Sequence, residues 1–393
     1  MSNVDLYLER KAKNIETYDF YNVYESISNK DLRKIFAFLH TELNNWFREI
    51  NNRIFVEYDY LENVIYKGGY LHAQNSRDFL NIISEFTSLH DDLQGTQYSF
   101  EICNDYLNII IQCRKFVKSS GGSNIPEGFK TIKIENINPI FILKDSISIE
   151  HNGKITNRKL KLIGEGSYAK VFSYKDPVYD IFIALKRAKL ELNDKELIRF
   201  KQEYDILKSL NFPYIVKVYS YDSDKNQYTM EYLDENIWSF IKKTNTTLSL
   251  SKRKQIIKQI CKGISYIHNK KLLHRDISLT NIFIKHYDEG IDVVKIGDFG
   301  LVKTQESILT NIESEIKGSL NDPDLYNVGF NNYEMCHEIY ALTKLIYYIL
   351  TGRTNISREN NEKIKSFLNK GTNVDKNKRF KNVNEILSYI ELI

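Results

Sequence analysis

The first third of the chain carries apolar residues at the three- to four-residue spacing of an amphipathic helix. The spacing is clearest across residues 31–54 and 79–89, and a third candidate helix covers residues 100–117. Because this period places apolar side chains on one face of a helix, neighbouring helices can pack through those faces. The pattern predicts a helical domain over residues 1–118.

A short polar run separates this region from the rest of the chain. Residues 119–124 read Ser-Ser-Gly-Gly-Ser-Asn, which neither helix nor strand favours, so we interpret residues 119–139 as a linker. Apolar residues then fall in short β-rich runs, first between residues 140 and 149. His151-Asn152-Gly153 follows with residue types that adopt the positive backbone angles of a tight hairpin turn. We therefore expect a sheet to begin at residue 140.

The pattern changes again towards the C-terminus. Strand signals continue through residues 218–219 and 228–230, interrupted by one strongly helical segment at 194–210. Helical spacing dominates from residue 237 onward, notably at 253–269 and 338–350. The order predicts an α+β protein in which a helical domain precedes a sheet with one helix and a larger helical body.

Composition excludes some classes of protein without choosing among the others. The net charge of +4 over 55 basic and 51 acidic residues is mild, and no basic arm typical of nucleic-acid binding is present in the sequence. The four cysteines, Cys103, Cys113, Cys261 and Cys336, lack the close spacing of a zinc site or a disulfide framework, which favours a reducing, cytoplasmic setting. The sequence begins without a signal-peptide pattern and has no apolar segment long enough to cross a bilayer, so we expect neither secretion nor a membrane.

Candidate chemistry first appears at residues 162–171, where Gly164-Glu165-Gly166 lies between two strand-like runs. Glycines let backbone amides approach phosphate oxygens without a side-chain clash, although an ordinary hairpin turn would also use them. The next strand carries Lys186, and the following helix carries Glu203. Since a phosphate-binding lysine needs a carboxylate to hold its flexible stem, the combination favours a phosphate loop.

A second group of polar residues lies in two short segments further along. Asp276 and Asn281 share a loop between a predicted helix and strand, and Asp298 follows the next β-rich run. A carboxylate that orients an acceptor hydroxyl and oxygen ligands for magnesium must converge on one point. Gly300 gives the backbone after Asp298 the freedom that a mobile segment needs. The spacing allows these groups to converge in this way.

These motifs resemble those of the eukaryotic-type protein kinases, from about residue 159 to residue 393. The resemblance implies a bilobal fold with an antiparallel β N-lobe containing one helix and a mainly α C-lobe. It implies a kinase domain over residues 140–393, with the N-lobe ending at about 233 and the C-lobe starting at about 234. ATP and Mg²⁺ are the implied cofactors, and proteins are the implied substrates.

The resemblance also assigns roles to residues. Lys186, Glu203, Asp276 and Asn281 would form the catalytic set, and Asn281 and Asp298 would bind the metal. Met230 would lie at the back of the adenine pocket, with Glu231 and Leu233 providing backbone hydrogen bonds to the base. The implied nucleotide-binding residues are Ile163, Gly164, Glu165, Gly166, Ser167, Tyr168, Val171, Ala184, Lys186, Met230, Glu231, Leu233 and Asp298.

The residues around the catalytic aspartate have further implied roles. By the same resemblance, His274 would pack within its loop, and Arg275 would pair with a phosphorylated residue after Gly300. Asp324 would form an ion pair with Arg379, and Glu338 would take the place of the aspartate that usually caps this helix. The candidate phosphosites are Thr304, Ser307, Thr310 and Ser314.

Ser278 departs from the family pattern in a way that bears on mechanism. Ser/Thr kinases usually carry a lysine at this position, and Thr280 does not provide the arginine of many tyrosine kinases. A cation that would neutralise the migrating phosphoryl group is thus absent from its usual place. Lys303 or Lys317 is a hypothetical substitute. A smaller departure is Ala169 in place of the third loop glycine.

Three functions remain open on the sequence. The first is a Ser/Thr protein kinase that phosphorylates its own activation segment, favoured by Gly318-Ser319, which resembles the Gly-Thr of that class. Ser278 suggests a pseudokinase or nucleotide-gated scaffold instead. A kinase-fold small-molecule phosphotransferase is the third. We expect the helical N-terminal domain to regulate the kinase or to bind a partner, with Tyr58 and Tyr60 as candidate interface residues.

Overall fold

A computed structural model describes residues 2–16, 19–58, 64–300, 320–356 and 359–393. The chain forms two compact units, one of residues up to 161 with 174–181 and one of residues 162–173 with 182–393. Within the described ranges, no helix is both long and apolar enough to cross a membrane.

The described part of the first unit contains two long α-helices, two shorter ones and several short strands. Its elements in chain order are α1 (Asn3–Ala12), α2 (Lys30–Arg53), β1 (Ile54–Tyr58), β2 (Val64–Leu71), α3 (Ala73–Leu93), β3 (Phe100–Ile102), α4 (Asn104–Arg114), β4 (Ser123–Ile125), β5 (Phe141–Leu143), β6 (Ser146–His151) and β7 (Lys154–Lys159). The strands form a sheet of order β1-β2-β4 and the pairs β3-β5 and β6-β7.

Helix α2 forms the centre of this unit. The Asn29 side chain accepts hydrogen bonds from the backbone N–H groups of Asp31 and Leu32 and so caps its first turn. The apolar positions that predicted the helix, including Phe36 and Phe47, are fully buried. The helical character of the N-terminal region is confirmed, while the strands β1 to β4 add a β component that the helical pattern did not predict.

The segment predicted to be a linker does not form one. Strand β4 lies inside it and pairs with β2, and Ile125 and Ile132 are buried in the core of the first unit. The glycines serve a tight turn instead: Gly122 has a φ of +77°, and a Cβ there would lie 2.2 Å from the Tyr70 hydroxyl. Apolar side chains on both sides of the turn draw this segment onto the core.

Two other predictions of local structure in this unit need correction. Residues 100–102 form β3 rather than the start of a helix, because Phe100 and Ile102 alternate inward and pair with β5. The strands predicted between residues 140 and 149 exist as β5 and β6, but they pair within the first unit. The Asn152-Gly153 turn has the expected positive φ values of 51° and 75°.

From residue 161 onward the chain follows the predicted order of a sheet with one helix and then a helical body. The elements are β8 (Lys161–Glu165), β9 (Ala169–Lys175), β10 (Phe182–Ala188), α5 (Asp194–Ser209), β11 (Val218–Asp222), β12 (Gln227–Glu231), β13 (Glu235–Asn236), α6 (Ile237–Thr244), α7 (Leu250–Asn269), β14 (Ile282–Tyr287), β15 (Ile291–Ile296), α8 (Leu325–Val328), α9 (Met335–Thr351), α10 (Glu362–Gly371) and α11 (Val383–Glu391).

The larger sheet has the strand order β11-β12-β10-β9-β8, and a second sheet has the order β13-β14-β15. Helices α7 and α9 contribute fully buried apolar residues, among them Ile260 and Leu342, to one core cluster that also contains apolar residues of both sheets. The α+β class, with a sheet-rich N-lobe and a helical C-lobe, is confirmed. This arrangement brings the middle of β10 and the C-terminal ends of β12 and β15 to the candidate site.

Candidate active site

Lys186 and Glu203 meet as the sequence predicted. Lys186 lies on β10 opposite Tyr228 of β12, and Glu203 lies on α5, whose first turn is closed by a capping box between Asn193 and Glu196. The Lys186 Nζ atom lies 2.6 Å and 2.8 Å from the two carboxylate oxygens of Glu203. The Tyr228 hydroxyl donates to the same carboxylate at 2.9 Å. The lysine stem is therefore held by a buried, hydrogen-bonded partner.

Asp298 adds a second carboxylate to this cluster. It follows β15 with a φ of +61°, and its Oδ1 lies 3.6 Å from Lys186 Nζ. Burial opposes the charged form of Lys186, but Asp298 and Glu203 raise its pKa well above the usual value. Lys186 in turn lowers the pKa of Asp298, so both groups are charged at neutral pH. Lys186 Nζ thus lies within 3.6 Å of two carboxyl groups, and burial raises the pKa of the second one, Glu203, above its usual value.

Within the loop of residues 274–281, Asn281 holds Asp276 in place. The Asn281 Nδ2 donates to the Asp276 carbonyl at 3.0 Å and to its carboxylate at 2.9 Å. The Gly297 N–H donates to the Asn281 carbonyl at 3.0 Å, which ties this loop to the residue before Asp298. Burial raises the pKa of Asp276, and the Asp298 carboxylate acts in the same direction.

The oxygen atoms of this cluster suit a hard cation. Because the Asn281 Nδ2 faces Asp276, the amide oxygen points the other way, and Asp298 provides an ionised carboxylate. Amide and carboxylate oxygens are the ligands that Mg²⁺ prefers. Asn281 and Asp298 therefore fit the predicted metal site.

Gly164 lies on β8 and Gly166 lies in the turn between β8 and β9, and neither position requires glycine for its backbone angles or its packing. Neither Gly164 nor Gly166 has a positive φ, and a Cβ at either position would meet no atom closer than 3.8 Å. Ile163 and Tyr168 are exposed beside it, and Glu165 pairs with Lys189 at 2.8 Å. The space beside Gly164 and Gly166 is therefore open to an approaching group.

The predicted adenine segment begins where β12 ends. Met230 lies directly opposite Ala184 of β10, so both belong to one face of the sheet pair. The Glu231 N–H donates to the Lys217 carbonyl at 2.9 Å, so the Glu231 backbone can only accept a hydrogen bond from a base, through its carbonyl oxygen. Sequence reasoning gave the Glu231 side chain no role, although it is buried and lies 2.8 Å from Lys295 Nζ.

The protein kinase domain family matches residues 157–390, more than half of the sequence. The chain belongs to this family. Serine/threonine-protein kinase PrkC of Bacillus subtilis is 30% identical over 200 residues, 49% of this chain and 30% of that protein. Serine/threonine-protein kinase PknD of Chlamydia caviae is 32% identical over 179 residues, 41% of this chain and 19% of that protein. Cyclin-dependent kinase 17 of Caenorhabditis elegans is 24% identical over 204 residues, 51% of this chain and 30% of that protein. The matched part spans less than a third of each relative.

In the kinase domain, the prediction that Glu338 caps its helix is wrong, because α9 begins at Met335 and its N-cap is Glu334. Glu338 lies inside the first turn, where its carboxylate holds the loop that begins at His274. This carboxylate is fully buried and accepts the backbone N–H groups of His274 at 3.1 Å and Arg275 at 3.0 Å. His268 Nε2 lies 2.8 Å from the same carboxylate. Burial disfavours the charge, yet the hydrogen bond from His268 leads the effects that lower the pKa of Glu338 below its usual value. The loop is thus anchored to the helical body by a charged acceptor.

His274 and Arg275 are both buried. The His274 ring lies 3.0 Å from the Gly297 carbonyl and 4.8 Å from the Phe299 ring centroid, in accord with the packing role expected of it. The Arg275 guanidinium donates to the Phe330 carbonyl and lies 4.4 Å from the centroid of that ring. The candidate phosphosites, Lys303, Lys317 and Gly318-Ser319 lie outside the described residues.

The ion pair predicted between Asp324 and Arg379 is wrong in its acidic partner. Arg379 pairs with Asp322, and both side chains are 2% exposed. Asp324 contacts His337 Nε2 at 3.2 Å and forms an ion pair with Lys376. The Asp322 side chain reaches Arg379 because the turn before α8 directs it inward, where its Oδ1 also accepts the Asp324 N–H.

Proposed function

We propose that this protein kinase uses ATP and Mg²⁺ to phosphorylate serine or threonine hydroxyls of proteins, including its own activation segment. The observation that carries the proposal is the arrangement of charges around Lys186. This lysine pairs with Glu203 at 2.6 Å and lies 3.6 Å from Asp298, while Asn281 holds Asp276 at 2.9 Å. These distances support a proposal in which Lys186 would bind phosphate, Asp298 would bind the metal and Asp276 would act as the base.

Each group has a role in this proposal. The backbone of residues 163–168 would surround the phosphates of ATP, and Lys186, oriented by Glu203, would bind them. Asn281 and Asp298 would hold Mg²⁺, which when bound neutralises charge on the phosphates. Asp276 would orient the acceptor hydroxyl and receive its proton. The raised pKa of Asp276 brings the proton affinity of its carboxylate closer to that of an effective base at neutral pH.

Two observations favour serine or threonine as the acceptor. PrkC and PknD, which resemble this chain at 30% and 32% identity, are both named serine/threonine-protein kinases. This chain also has Thr280, and not an arginine, at a position where many tyrosine kinases have an arginine. Phospho-amino-acid analysis distinguishes this proposal from tyrosine phosphorylation.

The test is incubation of the full chain with labelled ATP and Mg²⁺, with a generic protein substrate present. We expect label on serine or threonine, both in the substrate and in the chain itself. Lys186→Ala and Asp298→Asn should each abolish labelling, whereas Lys252→Ala, which removes a peripheral ion pair to Asp292, should not. Labelling that persists in both site variants would contradict the assigned roles.

A nucleotide-gated scaffold is a second candidate, and Ser278 is the observation that favours it. Without the usual lysine, the loop could bind a nucleotide yet transfer phosphate poorly. This alternative predicts that ATP protects the wild-type chain from thermal unfolding while no acceptor becomes labelled. Label transfer that Lys186→Ala abolishes would exclude it.

The first unit is proposed to regulate the kinase or to bind a partner. It has its own hydrophobic core, and strand β1 exposes Phe55 and Tyr58, each about 70% accessible. Replacing both with serine tests the idea, since partner capture or turnover should change while thermal stability should not. Unchanged capture and turnover would leave the unit without a role at this surface. A cytoplasmic location stays a prediction.

A further inference from the structure

The Glu231 side chain lies at the centre of a buried charge cluster next to the adenine segment. One carboxylate oxygen accepts the Lys217 backbone N–H at 2.8 Å and lies 2.8 Å from Lys295 Nζ. The other oxygen lies 3.4 Å from Lys285 Nζ. Glu231 is 5% exposed and Lys295 is 8% exposed. Well-packed apolar side chains of similar volume are often at least as stabilising as a buried ion pair, so the role of such a pair is more often to fix local geometry.

The strand register explains why these two lysines face Glu231. Phe283 of β14 pairs with Lys295 of β15, and Lys285 follows Phe283 by two residues. Residues two apart on a strand share a face, so Lys285 and Lys295 emerge on the same side of the sheet. Lys295 also precedes Asp298 by three residues. The Glu231 carboxylate is therefore tied to the strand that leads into the metal-binding aspartate.

The same segment is tied down at its other end. The Asp234 N–H donates to the Ile284 carbonyl at 3.2 Å, and the Asp234 carboxylate accepts the His286 N–H at 2.8 Å. The residues between these anchors, Tyr232 and Leu233, include the backbone group expected to bind adenine. Both ends of the segment are thus fixed to the hairpin β14-β15.

We propose that Glu231, through Lys295, is a positioning residue that sets the adenine-binding backbone relative to Asp298. The inference rests on the proposed binding of ATP. We call the contacts of the Glu231 carboxylate with the Lys217 N–H and Lys295 the clamp. When the clamp is intact, the base and the phosphates meet their partners simultaneously, so little binding free energy is lost to ordering the adenine segment. When the clamp is broken, the adenine contacts weaken and the phosphate contacts remain. The effect therefore falls on ATP affinity more than on the chemical step.

The test compares ATP with inorganic tripolyphosphate, which has no adenine. Affinities of the full chain for each, with Mg²⁺ present, are measured by displacement of a fluorescent ATP analogue. We expect Glu231→Gln and Lys295→Met to weaken ATP binding roughly tenfold, the loss of one charge-assisted hydrogen bond, and to leave tripolyphosphate within about twofold. Lys295→Arg keeps the cation and should bind ATP within about twofold of wild type.

Asp292→Asn is the matched control, because it removes ion pairs with Lys252 and His286 at the far end of the same hairpin. It should lower thermal stability without changing the ratio of ATP to tripolyphosphate affinity. Equal weakening of both ligands in Glu231→Gln, or wild-type ATP affinity in both Glu231→Gln and Lys295→Met, would overturn the proposal. If Glu231→Gln or Lys295→Met does not fold, the ATP affinities of Lys295→Arg and Asp292→Asn still separate an effect of the clamp geometry from an effect of hairpin stability.

Turnover is measured separately, so the two proposals fail in different ways. Loss of the adenine-dependent affinity in a chain that labels no acceptor would support the clamp and reject the kinase reaction. With turnover present, we expect the KM for ATP to rise in Glu231→Gln while kcat stays within about twofold. A fall in kcat with an unchanged KM would contradict the positioning role.

Discussion

The buried ion pair between Asp322 and Arg379 gives a sharp test of the structure against the family pattern. Asp322→Asn removes the negative charge, keeps the side-chain size and retains an oxygen for the Asp324 N–H. Arg379 would keep hydrogen bonds to the carbonyls of Cys336 at 3.0 Å and Asn373 at 2.7 Å. It would nonetheless be a buried cation without a carboxylate. Breaking a buried pair on one side costs about 3–5 kcal/mol.

That cost is a large part of the 5–15 kcal/mol that typically stabilises a domain. For a domain of this size, about 3 kcal/mol corresponds to a fall of roughly 6–12 °C in melting temperature. The control is Asp324→Asn, since Asp324 is the partner that the family pattern suggests. Asp324 is 28% exposed and its partner Lys376 is 32% exposed, although its other partner, His337, is buried, so we expect a smaller shift of about 2–4 °C.

Scanning calorimetry measures the two shifts, and hydrogen exchange of peptides from residues 320–340 assigns the transition to the second unit. The prediction concerns stability and does not depend on catalytic activity. If Asp324→Asn destabilised the domain as much as Asp322→Asn, the assignment of Asp322 as the partner of Arg379 would be refuted.

Two further predictions concern other buried charges. Glu338→Gln should lower the free energy of unfolding by about 2–3 kcal/mol and should also lower kcat, because an amide cannot accept the N–H groups of both His274 and Arg275. Denaturant titration measures the first effect and turnover measures the second. Burial lowers the pKa of His40 in the first unit from 6.5 to about 4, so the folded state favours the neutral imidazole. The free energy of unfolding should therefore fall by about 2–3 kcal/mol as pH falls from 6.5 to 4. Denaturation at pH 7 and 4.5 checks this, and His40→Gln should lack that component of the pH dependence.

The sequence is sufficient to predict a contact where known motifs contain both of the residues that form it. Lys186 and Glu203 belong to a strand and a helix close in sequence, so the ion pair could be predicted before any geometry was known. Asp276 and Asn281 share one loop, and the same reasoning held. Local sequence therefore predicts a contact when both groups lie in one short segment whose secondary structure can be recognised.

Contacts between distant segments could not be derived in this way. The partner of Arg379 depends on which side chain the turn at residues 322–324 directs inward, which neither composition nor spacing determines. Glu231 meets Lys285 across 54 residues, and nothing in a hydrophobic pattern reports that contact. Strand β1 was missed for another reason: four of its five residues are exposed, so it lacks the alternation that predicts a strand.

Glycine-rich segments were the most ambiguous part of the sequence. Residues 121–122 were interpreted as part of a linker, but they form a turn in which Gly122 packs closely against Tyr70. Gly164 and Gly166 were interpreted as a phosphate loop, and their surroundings leave open space. The same residue type therefore served close packing in one place and access in another. Only the neighbouring atoms distinguish these uses.

Ser278 leaves one step of the proposed reaction without an assigned cation. The side chain is 8% exposed and its hydroxyl lies 3.1 Å from that of Thr280, so this part of the loop offers hydroxyl groups where the family usually has a lysine. If Lys303 or Lys317 provides the missing charge, replacing both with alanine should lower kcat roughly a hundredfold, the cost of losing one charge-stabilising group. Ser278→Lys in that double variant should then restore turnover, because it returns a cation to the loop. Unchanged turnover in the double variant would remove both lysines from the mechanism and leave phosphoryl transfer to proceed without this charge.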